Sequence, residues 1–167
     1  MKPTIKTLLR KPSYMIALGF GSGLSPFAPG TVGSALALVL ALPFLHLPLE
    51  TKLLAILLAG ALGVVVCGKV ARELDIKDPS IIVWDEFVGM WISLILVPPV
   101  WHWLLAAFVI FRVMDIVKPW PASWADHKLA GGAGIMLDDV FAGIYTILAL
   151  FILDATGLVS LLLQALQ

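Results

Sequence analysis

Five carboxylates border apolar stretches of this sequence, and side chains of this type can bind metal ions or transfer protons. Asp85 and Glu86 open the run WDEFVGMWISLILV, Asp115 lies near the end of a second run, and Asp138 and Asp139 open a third. Ionisable groups at membrane depth are costly and usually mark function. The five acids are therefore the first candidates for catalytic groups.

The composition is typical of a membrane protein. Hydrophobic residues make up 60% of the chain and charged residues only 13%, whereas soluble domains are about one quarter charged. Acids and bases balance at eleven each, so no nucleic-acid partner is expected. Cys67 is the single cysteine, which excludes a disulfide or a cysteine-rich metal site and predicts a packing role. The length fits one domain, 1–167.

The elements that must position the acids are apolar helices. A membrane-spanning helix needs about 20 mainly apolar residues, or fewer inside a bundle. Pro98 and Pro99 predict a tight reversal, and Pro119 and Pro121 end a helix. The final segment, 157–167, is too short to cross and is expected to lie at the interface or to pack against the bundle. The sequence predicts an all-α polytopic membrane bundle with helices at 32–48, 52–71, 84–97, 101–117 and 138–155.

Lysine and arginine predict the orientation, because cytoplasmic segments of membrane proteins carry an excess of both. With a cytoplasmic N-terminus and five alternating helices, every basic residue except Lys52 falls on the cytoplasmic side. The N-terminal segment has basic residues but no clear cleavage site, so a retained cytoplasmic segment is expected. This topology gathers all five acids at the cytoplasmic face.

A purely structural role explains only part of this pattern. An acid at a helix N-terminus stabilises the helix by about 0.3–1 kcal/mol, which accounts for one acid per helix. It does not account for the doubled acids, nor for Asp115, which is expected near a helix C-terminus. Asp115 follows Arg112 by three residues, so both lie on one helix face. A functional cluster is therefore favoured.

Carboxylates gathered in one place require a cation between them. Oxygen ligands suit a hard ion, and Mg²⁺ is the usual one where phosphate also binds. The three histidines, His46, His102 and His127, have no ligand spacing, so zinc is not expected.

Groups that could bind phosphate lie near the acids. Two basic residues flank Asp115, and arginine can bind phosphate through two hydrogen bonds. Residues 19–34 supply the hydroxyl groups of Ser22, Ser25, Thr31 and Ser34. Thr31, the last residue of GFGSGLSPFAPGT, is predicted to cap the first helix, whose N-terminus would attract an anion. A second stretch, LAGGAGIM, is either a flexible turn or a close backbone approach. The candidates for phosphate binding are Arg112, Lys118, Ser22, Ser25 and Thr31.

Three stretches resemble the motifs of a known family. GFGSGLSPFAPGTVGS, IVWDEFVGMWI and FRVMDIVKPWPASWADHKLAGGAGIMLDD occur in the family's order and cover roughly residues 18–143. They resemble the phosphatidylglycerophosphatase A family of bacterial membrane lipid phosphatases, with WDE and GIMxDD the most distinctive elements. The resemblance implies Mg²⁺-dependent hydrolysis of phosphatidylglycerophosphate to phosphatidylglycerol and phosphate, at the cytoplasmic face of the bacterial inner membrane.

The resemblance also implies roles for the candidate residues. The basic and hydroxyl candidates would bind phosphate oxygens. One carboxylate would activate water or attack phosphorus directly, and both routes are open. Asp115 is the candidate for that role or for orienting Arg112. The predicted Mg²⁺ ligands are Asp85, Glu86, Asp138 and Asp139.

Two other classes of protein fit a buried acidic cluster. A small transporter, or a subunit that conducts cations or protons, could use such acids, although transporters bind their substrates near the membrane midplane. A non-catalytic scaffold would tolerate replacement of the acids by amides. The oligomeric state and the acyl-chain preference are left open by the sequence.

Overall fold

The computed structural model describes residues 3–157, and every regular element within that range is helical. The all-α prediction is thus confirmed. Short 3-10 helices occupy Gly19–Leu24 and Phe44–His46. The segment predicted at 157–167 lies outside the described residues except for Gly157. The α-helices are α1 (Ile5–Arg10), α2 (Pro12–Ala17), α3 (Pro29–Ala41), α4 (Leu49–Leu74), α5 (Trp84–Ser93), α6 (Trp101–Val117), α7 (Ala122–Lys128) and α8 (Gly131–Ala155).

Two of the five predicted spans are long and apolar enough to cross a membrane, namely α4 and α8. The other three exist as shorter helices, with α6 at the predicted bounds. The first helix ends at Ala41 rather than at 48, because a proline at position 43 cannot continue a helix without a clash. The third ends at Ser93 rather than at 97. Each of the five predicted helices is therefore present among the eight α-helices of residues 3–157, and two of the five have membrane-spanning length.

The start of α8 corrects the sequence prediction most strongly. The helix begins at Gly131 and not at 138, so Asp138 and Asp139 lie about two turns inside it. The glycines of LAGGAGIM lie in the first turn of α8 and do not form a loop, and Gly131, its first residue, has a left-handed φ of 70°. A Cβ atom on Gly132 would collide with the backbone carbonyl of Val64 on α4, so α8 begins where only a glycine lets the two helices approach. The prediction that the acid pair opens its helix was wrong.

Glycine also sets the distance between α5 and α8. A Cβ on Gly143 would lie 2.7 Å from the carbonyl oxygen of Gly89, and a Cβ on Gly89 would lie 2.8 Å from the carbonyl oxygen of Asp139. Small residues allow close helix packing of this kind in membranes. Helix α8 also packs against α4, α6 and α7, and Phe87 and Met90 of α5 are fully buried. The α5–α8 contact brings the acids of two helices together.

We expect Gly132→Ala to destabilise the protein by about 1–3 kcal/mol, because the added methyl group overpacks the α4–α8 contact. Gly60→Ala is the matched control, since a Cβ there meets only Val88 Cγ1 at an ordinary 3.9 Å. The control should be neutral or slightly stabilising, because alanine favours a helix more than glycine does. Thermal unfolding in detergent measures both, and equal midpoints for the two variants would contradict this account of the packing.

Candidate active site

Three carboxylates meet between α5 and α8. One oxygen from each of Asp85, Glu86 and Asp139 lies within 4.8 Å of the others. Asp85 and Glu86 occupy the first turn of α5, and Asp139 is 2% exposed on α8. The close approach at Gly89 places the backbone of Asp139 directly against α5. These three residues are called the acidic cluster below.

The acidic cluster has oxygens that no protein donor satisfies. Asp85 Oδ1, Glu86 Oε2 and both carboxylate oxygens of Asp139 are buried without a hydrogen-bond partner among residues 3–157. Burying a carboxylate without a partner is costly, and like charges at this distance repel one another. A cation between the three groups would remove both costs. An all-oxygen donor set of this kind fits a hard divalent ion such as Mg²⁺.

Arg112 of α6 lies beside the acidic cluster. Its Nη1 atom is 2.8 Å from Asp115 Oδ2 and 3.9 Å from Glu86 Oε1. Nη1 also donates to Ser34 Oγ at 3.2 Å. The Nε atom is buried and has no acceptor in the described part of the chain. The guanidinium therefore holds a position next to the acids and keeps a donor for a further anion.

Asp138 has a basic partner, whereas its neighbour Asp139 has no hydrogen-bond donor among residues 3–157. Lys118 Nζ donates to Asp138 Oδ2 at 2.5 Å, and Asp138 is not part of the three-residue group. Lys118 is the C-cap of α6 and has a left-handed backbone conformation. Its ion pair with Asp138 links the end of α6 to α8. Two predicted site residues are thus paired with each other beside the acidic cluster.

The hydroxyl groups predicted to bind phosphate lie before or within the first turn of α3. Ser22 Oγ donates to the carbonyl of Gly19 at 2.8 Å, and Ser25 Oγ donates to the carbonyl of Phe27 at 2.7 Å. The predicted cap at Thr31 was wrong, because α3 begins at Pro29 and its N-cap is Ala28. Thr31 is half-buried in the first turn of that helix. The structure brings Arg112 and Asp115 to the acidic cluster and gives the two serines local partners.

Gly30 lies at the site and was missed by the sequence analysis, which noted Ser34 only as one of the hydroxyl groups near the first helix. A Cβ on Gly30 would collide with Glu86 Oε1 and would lie 3.2 Å from Arg112 Nη2. Ser34, fully buried one turn later, contacts Arg112. Residues four apart share a helix face, so a helix start placed at Pro29 would have put both on one side.

The fold and the site together define a helical protein of membrane composition with a largely buried acidic cluster beside an arginine. The family model for phosphatidylglycerophosphatase A matches residues 15–154 of this chain. The chain therefore belongs to the phosphatidylglycerophosphatase A family and is a phosphatase. The resemblance seen in the motifs is confirmed, and an enzyme is favoured over a transport subunit or a scaffold.

Three named relatives align with most of the chain. The protein named phosphatidylglycerophosphatase A in Escherichia coli K12 is 44% identical over 137 residues, which are 81% of this chain and 80% of the relative. Its namesake in Haemophilus influenzae is 44% identical over 152 residues, or 89% and 93% of the two chains. A Bacteroides thetaiotaomicron protein, provisionally named a phosphatidylinositol-3-phosphatase, is 42% identical over 150 residues, or 83% and 92%. No solved structure matches the chain significantly.

Proposed function

We propose that this protein hydrolyses the phosphomonoester of phosphatidylglycerophosphate, releasing phosphatidylglycerol and phosphate in glycerophospholipid biosynthesis. The names of two relatives, each 44% identical to the chain, supply the substrate. The observation that carries the chemistry is the acidic cluster beside Arg112, because its unsatisfied oxygens and the spare arginine donor suit a cation and a phosphate respectively.

The acidic cluster is proposed to hold Mg²⁺. Asp85, Glu86 and Asp139 supply the carboxylates, and their buried oxygens without donors support this set. The bound ion would neutralise charge on the phosphate and polarise it toward attack. Asp138, the fourth predicted ligand, keeps Lys118 beside the site through their ion pair.

Arg112 binds and orients the phosphate in this proposal. Its buried Nε is free to donate to a phosphate oxygen, while Asp115 holds Nη1 on the other edge of the guanidinium. Charge-assisted hydrogen bonds of this type are about twice as strong as neutral ones. Lys118, at the end of the same helix, adds positive charge near the phosphate.

The site is proposed to face the cytoplasm, in a chain that crosses the inner membrane several times. The distribution of lysine and arginine supports this orientation. Asp139 lies about 12 Å along the axis of α8 from Gly131, at about 1.5 Å per residue. A membrane helix whose first two turns lie in the cytoplasm and the headgroup region would thus hold the acidic cluster near the depth of lipid phosphates.

A substrate panel tests this proposal. Purified protein in detergent receives phosphatidylglycerophosphate, phosphatidic acid or phosphatidylinositol 3-phosphate, each with Mg²⁺, and phosphate release is measured. We expect the highest kcat/KM with phosphatidylglycerophosphate. The inositol lipid is included because one relative carries its name. A preference for that lipid would overturn the proposed substrate.

A further inference from the structure

Ser34 contacts Arg112 from a helix that carries no acid of the site. Its side chain is fully buried in α3. The hydroxyl donates to the carbonyl of Gly30 at 2.8 Å and accepts from Arg112 Nη1 at 3.2 Å. Because the single hydroxyl proton is used toward Gly30, the lone pairs of Oγ are available to the arginine. The local helix bond thus fixes Ser34 as an acceptor.

The hydrogen bonds of Ser34 differ from those of Ser93, another buried serine on a helix. Ser93 is also fully buried, and its Oγ donates to the carbonyl of Gly89, four residues earlier, at 2.9 Å. It makes no contact with an arginine in the described range. Ser34 therefore makes the common helix-internal bond and, in addition, a contact with a charged group of the site.

The approach of α3 to Arg112 depends on Gly30. A side chain there would meet Glu86 Oε1 and both terminal nitrogens of the guanidinium. The missing side chain lets the first turn of α3 lie against the arginine, and Ser34 follows on the same helix face. The side of the site formed by α3 is therefore shaped around Arg112.

We propose that Ser34 is a positioning residue for phosphate binding, acting through Arg112. Ser34 and Asp115 both bind Nη1, which leaves Nε of the guanidinium for the ligand. A long side chain held in advance loses less freedom when the ligand binds. The inference rests on the proposed role of Arg112 as the phosphate-binding residue.

The test compares Ser34→Ala with Ser93→Ala. Both changes remove a buried hydroxyl that bonds to a carbonyl four residues earlier, and only the first removes an acceptor from Arg112. For Ser34→Ala we expect KM for the lipid and the inhibition constant of inorganic phosphate to rise about tenfold, as for the loss of a hydrogen bond to a charged group, with a smaller change in kcat. Ser93→Ala should match the wild type. Equal values for both variants would overturn the proposal.

A double-mutant cycle separates positioning from a general effect on the fold. In an Arg112→Lys background, Ser34→Ala should change the phosphate inhibition constant by less than about twofold, because lysine lacks the guanidinium group that Ser34 positions. A full additional tenfold loss would contradict action through Arg112. If Ser34→Ala does not fold, Ser34→Cys takes its place, since sulfur is close in size but a poor acceptor.

Direct binding of inorganic phosphate distinguishes a failure of this inference from a failure of the proposed function. Phosphate is titrated into wild type, Ser34→Ala and Ser93→Ala with Mg²⁺ present, and binding is followed by ³¹P NMR. Weaker binding by Ser34→Ala alone supports the inference even if no lipid is hydrolysed, which would refute only the proposed substrate. Equal binding by all three proteins refutes the role of Ser34 whatever the substrate is.

Discussion

Asp139→Asn is expected to abolish phosphate release, with a loss of roughly 10³-fold in kcat, while the protein still folds. Both carboxylate oxygens of Asp139 are buried without a donor, so a negative charge on this residue between α5 and α8 requires a cation to balance it. An amide has nearly the same shape but cannot balance a divalent cation. Losing a preorganised charged group at the reacting centre costs a factor of this size. Steady-state phosphate release measures the effect.

Asp154→Asn is the matched control, because Asp154 is an exposed acid on the same helix. It should retain wild-type activity. In EDTA, Asp139→Asn should unfold at a temperature no lower than the wild type, since removing one charge relieves repulsion within the acidic cluster. Mg²⁺ should raise the unfolding midpoint of the wild type and not of Asp139→Asn. Substantial turnover by folded Asp139→Asn would remove this residue from the site.

Arg112→Lys should lower kcat/KM by about 10²-fold. Lysine keeps the positive charge beside Glu86 and Asp115, so no buried acid loses its compensating charge. It cannot reproduce the planar guanidinium fork, which can bind two phosphate oxygens in fixed geometry. The loss should appear largely in KM and in the phosphate inhibition constant, because the arginine binds the phosphate in the ground state as well as in the transition state.

Arg72→Lys provides the control for this substitution. Arg72 is exposed near the end of α4, so the same chemical change should leave kinetics unaltered. An Arg112→Lys enzyme with wild-type kcat/KM would show that the guanidinium does not bind substrate. The buried Nε donor without an acceptor would then have a role other than phosphate binding.

The components of the site could be predicted from the sequence because charged residues are rare in apolar helices. Asp85, Glu86 and Asp139 were identified in this way, and the structure brings them together. The spacing of Arg112 and Asp115 predicted a shared face, and they form an ion pair at 2.8 Å. The bounds of α6 were also predicted, since prolines precede and follow it.

Other features depend on contacts between distant parts of the chain. The start of α8 is set by packing of Gly132 on α4, and glycine-rich sequence alone reads equally well as a loop. The pairing of Asp138 with Lys118 depends on which face of α8 meets α6. The sequence placed Ser34 among the hydroxyl groups near the first helix, but its contact with Arg112 depends on how α3 packs against α6. Residue types and their spacing in the sequence identify the chemical groups of the site. The packing of the helices against one another determines which of these groups come into contact.

The most direct test of the central claim is phosphate release from phosphatidylglycerophosphate by the purified protein, first with Mg²⁺ and then with excess EDTA. The account predicts release that EDTA abolishes and that added Mg²⁺ restores. Release that continues in EDTA would contradict a metal site at Asp85, Glu86 and Asp139. No release by folded protein in either condition would contradict the proposed substrate.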